Sequence, residues 1–194
     1  MKIFITITAL FLFNCAFAQD TIKQKPSCNC GFRSINQVGL LEGEAKSAFS
    51  IHTINGLSYN SWSAGIGVGI DYYHTRSIPL FIDIRKNLLR AKNSPFVYGD
   101  AGISFTWADS EQSQRHFGND GSDFSNGIYY DMGLGYRVGL KNAQGILLSA
   151  GYTRKTLKES VTSTVPCLIP PCPEYTQSYN YSLHRLAIRL GWQF

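Results

Sequence analysis

The feature that most limits what this chain can fold into is a period of two, repeated along most of its length. In SAGIGVGIDYY, residues 63 to 73, Ile66, Val68, Ile70 and Tyr72 share one face, and Gly65, Gly67, Gly69 and Asp71 share the other. Side chains of a strand point alternately to its two faces, so this is a strand with one greasy face and one small or polar face. Residues 78 to 88 repeat the pattern, with Ile78, Leu80, Ile82 and Ile84 against Pro79, Phe81, Asp83 and Arg85. Val97, Ala101, Ile103, Phe105 and Trp107 alternate with Tyr98, Asp100, Gly102, Ser104 and Thr106. Ile128, Tyr130, Met132, Leu134, Tyr136, Val138 and Leu140 face away from Tyr129, Asp131, Gly133, Gly135, Arg137 and Gly139. In residues 177 to 194, His184, Leu186, Ile188, Leu190, Trp192 and Phe194 oppose Leu183, Arg185, Ala187, Arg189, Gly191 and Gln193. Less regular strands cover 33–43, 49–59 and 145–157, for a total of eight.

The greasy faces need an apolar medium, and the amino-terminal residues indicate which one. MKIFITITALFLFNCAFA has Lys2 as a positive start, an apolar run from Ile3 to Phe13 and a small-x-small site at Ala16-Phe17-Ala18. That is the pattern of a signal peptide, residues 1–18, with the mature chain starting near Gln19. Acylation at Cys15 is disfavoured by the bulky Asn14 before it. No later stretch is a continuous apolar run long enough to span a bilayer as a helix, so a membrane-embedded product must be a closed β-barrel. Charged residues are 16% of the chain, against roughly 25% in ordinary soluble domains. The formal net charge of +5 is spread along the chain and forms no nucleic-acid patch.

The spacing of the strands adds an independent test. Gaps near Asn60, Lys92-Asn93 and Lys141-Asn142 are tight, whereas the long connections, about 109–124 and 158–176, both follow odd-numbered strands. Long loops therefore emerge from one end, as in outer-membrane barrels with short periplasmic turns and longer external loops. Tyr59, Trp62, Phe96, Trp192 and Phe194 fall at the turn end, and Tyr72, Tyr73, Trp107, Tyr129, Tyr130 and Tyr152 at the loop end. Two aromatic girdles flanking an aliphatic belt match the two interfaces of a membrane. The expectation is an all-β, eight-stranded antiparallel up-and-down transmembrane β-barrel over residues 33–194, preceded by a periplasmic segment at 19–32.

Eight strands leave an interior just wide enough for side chains or one small ligand. The inner faces carry Asp71, Asp83, Asp100 and Asp131 together with Arg85, Arg137, Arg185 and Arg189. Arginine pairs with carboxylates in fixed geometry, so these eight residues are expected to form a charge-balanced ion network that fills the lumen. A narrow polar channel is the competing reading. Ser182 and His184 share the lipid face near the outer rim, where a serine–histidine pair could serve lipid hydrolysis, although a polar rim explains them too. Asn119-Asp120-Gly121-Ser122-Asp123 echoes part of a calcium loop without the full ligand series. The histidines show no metal-ligand spacing. No catalytic set, metal or cofactor is expected.

Signal cleavage leaves four cysteines, and an exported chain permits disulfides. Cys167 and Cys172 bracket LIPP and are expected to close a small loop on themselves, while the pairing of Cys28 and Cys30 is open. Leu190, Trp192 and Phe194, on one side of the last strand, read as the signal by which the barrel assembly machinery recognises the chain.

The stretch GVGIDYYHTRSIPLFIDIRKNLLRAKNSPFVYGDAGISF and the ending RLAIRLGWQF resemble the small outer-membrane β-barrel proteins of Bacteroidetes-type bacteria. The resemblance runs from about Gly31 to Phe194 and implies a barrel in the cell outer membrane without implying a task. The expectation from the residues as a whole is a monomer in contact with outer-membrane lipid, with a structural or interaction role. The alternative is a narrow channel or small-solute or lipid transport barrel, and a lipid-modifying enzyme comes third.

Overall fold

The computed structural model describes residues 30–44, 46–107, 122–140, 144–164, 167 and 174–194. The strands are β1 (Cys30–Gly43), β2 (Ala48–Tyr59), β3 (Trp62–Asp71), β4 (Ser77–Asn87), β5 (Ser94–Thr106), β6 (Ser122–Ser125), β7 (Gly127–Gly139), β8 (Gly145–Thr164) and β9 (Glu174–Gln193). Each long strand pairs antiparallel with the next, and β9 pairs with β8 on one edge and β1 on the other. The seam runs from Ile35 opposite Gln193 to Gly43 opposite Arg185, so the ring is closed.

Eight strands form that ring. The ninth, β6, extends the line of β7 beyond a break at Asn126 and pairs with β8 at Lys158–Val161, whereas β7 pairs with β8 only as far as Lys155. Gly127 sits at the break because a Cβ there would lie 1.6 Å from the Thr156 carbonyl oxygen. β1 starts at Cys30, slightly before the expected 33.

The two long connections are shorter than the sequence suggested. β8 runs to Thr164 and β9 begins at Glu174, so most of the expected loop over 158–176 is a two-stranded ribbon. β1 stops pairing with β9 at Arg185, and the ribbon beyond that level stands clear of the ring on that side. At about 3.4 Å per residue it projects roughly 30 Å. Likewise Ser122–Ser125, expected within a loop, is strand.

The alternation places the faces as the glycine-rich pattern requires. Val38, Ile51, Ile66, Ile82, Ile103, Met132, Leu134, Leu148, Ile188 and Leu190 are all half or more exposed around the outside. An aliphatic belt of this extent is not tolerated in water and marks the surface that meets lipid. Aromatic rings edge it. Tyr59, Trp62, Trp192 and Phe194 lie exposed at the turn end, and Tyr72, Trp107, Tyr130 and Tyr152 at the loop end. Cations reinforce both rims, with Lys86 4.8 Å from the Trp62 ring and Arg76 5.1 Å from the Trp107 ring.

Three aromatics expected in the girdles point the other way. Phe96, Tyr73 and Tyr129 are buried inside the barrel. Their strand phase puts them on the inner face, where wall glycines make room for several of the rings. A Cβ on Gly135 would lie 2.3 Å from the Phe96 ring, and one on Gly67 would lie 2.3 Å from that of Phe81.

Candidate functional site

The lumen is the place where these strands bring chemistry together. At the loop end, Asp71 at the end of β3 accepts hydrogen bonds from Arg185 Nη1 (2.5 Å) and Lys155 Nζ (3.2 Å) through Oδ2. Its Oδ1 accepts from the Tyr73 backbone N–H at 2.8 Å, so both oxygens are used. Lys155 spends its other donors on the Tyr73 carbonyl and Ser77 Oγ, which satisfies the three N–H groups of an ammonium. The Arg185 guanidinium lies 5.1 Å from the centre of the Tyr73 ring.

One layer further in, Arg189 on β9 pairs with Asp131 on β7 and donates to Tyr98 Oη on β5 at 3.1 Å. Tyr98 and Tyr129 each donate a hydroxyl hydrogen to Asp131 at 3.1 Å. Beside them, the rings of His52 on β2, Phe81 on β4 and Tyr129 on β7 meet with centroids 5.3 and 5.4 Å apart. At the turn end, Asp83 pairs with Arg85 at 2.6 Å and lies 3.7 Å from Arg33.

Of the eight residues expected to line the lumen, the structure gathers Asp71, Asp83, Asp131, Arg85, Arg185 and Arg189 into these three ion-paired layers. Asp100 is buried opposite Asp83, its cross-strand neighbour, rather than against a cation. Arg137 is half-buried near the turn end of β7.

Two members were missed. Lys155 and Arg33 are buried on the inner face, which changes the charge count. Among the described residues the buried set holds five cations against four carboxylates, and half-buried Arg137 makes a sixth cation. The expected balance is therefore corrected to an excess of positive charge. The interior is also not purely ionic. Ile35, Ile54, Phe81, Phe96, Tyr98, Tyr129 and Leu147 form one apolar cluster, and Leu41, Ala48, Tyr73 and Ala187 another.

Outside the barrel, Ser182 and His184 lie exposed on β9, with Ser182 Oγ 3.1 Å from His184 Nε2. Asn119, Asp120 and Gly121 fall outside the described residues, as do Cys28 and Cys172. Cys30 and Cys167 sit at opposite ends of the wall, so no single site can use both. No group of three or more possible metal ligands occurs among the described residues. At the loop end, burial and then the nearby Lys155 push His74 below the ordinary histidine value.

The closed ring, the aliphatic belt and its aromatic edges decide the architecture. The fold is that of an outer-membrane β-barrel. The chain superimposes on the outer membrane protein OprG from Pseudomonas aeruginosa with a TM-score of 0.53 at 9% identity, covering 84% of this chain and 96% of that one. It also aligns with the solid-state NMR structure of outer membrane protein AlkL in DMPC bilayers, with a TM-score of 0.41 at 13% identity, over 84% of this chain and 88% of the other. No protein-family model and no curated protein matches the sequence.

Proposed function

We propose that this integral outer-membrane barrel has a structural or interaction role, with a lumen packed by its own side chains and closed to solute flow. One observation carries the reading: charged side chains brace strands on opposite walls. Lys155 on β8 reaches Asp71 on β3, and between the ion-paired layers the His52, Phe81 and Tyr129 rings fill the bore. Arg185, Arg189, Tyr129 and Phe81 are all about as buried as core residues of a soluble protein. A barrel whose cross-section is occupied at several depths acts through its two rims, its lipid-facing wall and its projecting ribbon.

The signal peptide over 1–18, the Cys167–Cys172 bond, the monomeric state and the membership of a Bacteroidetes-type family belong to the same proposal. So does the role of Leu190, Trp192 and Phe194 in assembly. Swelling of liposomes carrying the refolded chain in small sugars and amino acids tests it. Swelling no faster than in empty liposomes is expected. Solute-dependent swelling would favour the narrow-channel reading, for which the excess of lumen cations is the specific observation.

A further inference from the structure

We propose that the outer wall carries a second, independent site that hydrolyses the fatty-acyl ester of a phosphate-bearing membrane lipid, with Ser182 as nucleophile and His184 as general base. The feature behind this is a linear relay on the lipid-facing side of β8 and β9. Ser182 Oγ is 3.1 Å from His184 Nε2, and His184 Nδ1 is hydrogen-bonded to Tyr152 Oη. A histidine that donates from Nδ1 to Tyr152 presents an unprotonated Nε2 to the serine, which is the tautomer a base needs. Arg154 Nε donates to Ser182 Oγ at 3.0 Å, so a cation stands beside the nucleophile and favours the loss of its proton to His184.

The strand period explains why these groups meet. Ser182 and His184 are two residues apart on one strand and share a face, while Arg154 stands directly opposite His184 and Thr156 opposite Ser182 on β8. All four relay side chains, including that of Arg154, are exposed, and none is used by the lumen network.

Depth and shape select the substrate. The Tyr152 ring belongs to the loop-end aromatic row with Tyr72, Trp107 and Tyr130, and such rows mark the boundary between acyl chains and headgroups. Acyl ester bonds lie at that boundary. Below the pair, on the same face, Leu186, Ile188 and Leu190 offer a track for an acyl chain. Above it, a hollow of about 360 Å³ runs past Ser182 and Arg154 to Lys158, Asn180 and Asn126. Two cations with amide and hydroxyl groups suit a phosphate headgroup.

In the reaction Ser182 Oγ attacks the ester carbonyl carbon while its proton passes to His184 Nε2. The bond from that carbon to the alcohol oxygen breaks, and His184 returns the proton to the leaving alcohol. Water then attacks the acyl-serine, gives its proton to His184 and releases the fatty acid, restoring the hydroxyl. Tyr152 is a positioning residue, acting through the imidazole.

The test uses the refolded full chain, with folding followed by its heat-dependent gel migration. It is reconstituted in vesicles of phosphatidylethanolamine and phosphatidylglycerol, and separately in vesicles containing an acylated phospho-glucosamine glycolipid. Free fatty acid is measured by mass spectrometry, and a fluorophosphonate probe reports a covalent adduct at Ser182. Release from either preparation is expected, and which one releases identifies the lipid source. Both signals should vanish in Ser182→Ala, and release should fall by about 10²- to 10⁴-fold in His184→Asn. Tyr152→Phe should keep the adduct while moving the pH at which release is fastest. Folded protein that releases nothing from both preparations overturns the proposal, as does release that persists in Ser182→Ala. Neither result bears on the closed lumen, which the liposome assay tests separately.

Discussion

Lys155 on β8 and Asp71 on β3 stand on diametrically opposite walls of the ring, yet Nζ and Oδ2 are 3.2 Å apart. Their contact crosses the full bore. It is made by a lysine long enough to span the interior and a carboxylate anchored by the Tyr73 N–H, with Arg185 as a second partner on the same oxygen. Water solvates such charges poorly in so narrow a tube, so each depends on its partner.

That dependence makes the two ends of the contact unequal. In Lys155→Met, Asp71 keeps Arg185. In Asp71→Asn, Lys155 and Arg185 both lose their carboxylate. Breaking a buried pair typically costs about 3–5 kcal/mol. Urea unfolding in detergent should show Asp71→Asn the more destabilised of the two, and both well beyond Lys158→Met on the exposed ribbon. Equal midpoints for all three would count against the brace.

The wall glycines make a sharper pair. Gly67→Ala forces a Cβ to within 2.3 Å of the Phe81 ring, while Gly99→Ala meets nothing within 4 Å. Both changes act alike on the unfolded chain, so their difference reports the packed lumen. Overpacking of this kind costs typically about 1–3 kcal/mol. Gly67→Ala should lower the unfolding midpoint and Gly99→Ala should leave it unchanged or slightly raised.

Much of this was legible in the sequence, and the limits have physical causes. The period of two in β3, β4, β5 and β7 fixed which side chains face lipid, because lipid demands an apolar residue at every second position. Beyond the membrane that demand ends. Lys158–Thr162 and Tyr175–Asn180 carry Ser, Thr, Tyr and charges on both faces, so the ribbon reads as a loop. Phe96, Tyr73 and Tyr129 misled because a ring suits a membrane interface and a packed bore equally well, and only strand phase tells them apart. Lys155 lay hidden in the irregular run Thr153-Arg154-Lys155, where one cation faces out and the next faces in. The cross-lumen partners depend on the stagger of the closed ring, which no single strand encodes.

Closure itself is open to test at the seam. Phe194 donates its N–H to the Ser34 carbonyl at 2.9 Å and accepts from the Ser34 N–H at 3.3 Å. Removing Phe194 unpairs both Ser34 groups and shortens, at its turn end, the seam by which β9 closes the wall. The folded amount in membranes should fall while export continues, as judged by heat-modifiable migration against total periplasmic and membrane protein. Unchanged folded abundance would contradict an assembly role for the Leu190, Trp192 and Phe194 face.

A pH dependence follows from His74, whose ring lies 5.4 Å from that of Tyr181 at the loop end. Burial and Lys155 lower its pKa, so the folded state favours the neutral ring. Its contribution is complete above the ordinary histidine value of about 6.5 and is lost as pH falls below it. Between about pH 7.5 and pH 5 the parent should lose more stability than His74→Phe. Parallel curves would refute the assignment.

The bond proposed between Cys167 and Cys172 closes only a few residues, which constrains the unfolded chain little. The double Ser substitution should unfold at the parent's midpoint, and thiol counting under non-reducing conditions should find no free group at either position. A large loss of stability would show that the loop is tied into the barrel.

The filled lumen is tested most directly by planar-bilayer recording on the refolded chain. With Lys155 and Arg185 braced across the bore on Asp71, Arg189 paired with Asp131, and the His52, Phe81 and Tyr129 rings between them, no stable, reproducible conductance should be seen. Steady single-channel openings whose size changes in Lys155→Met or Arg189→Met would contradict it.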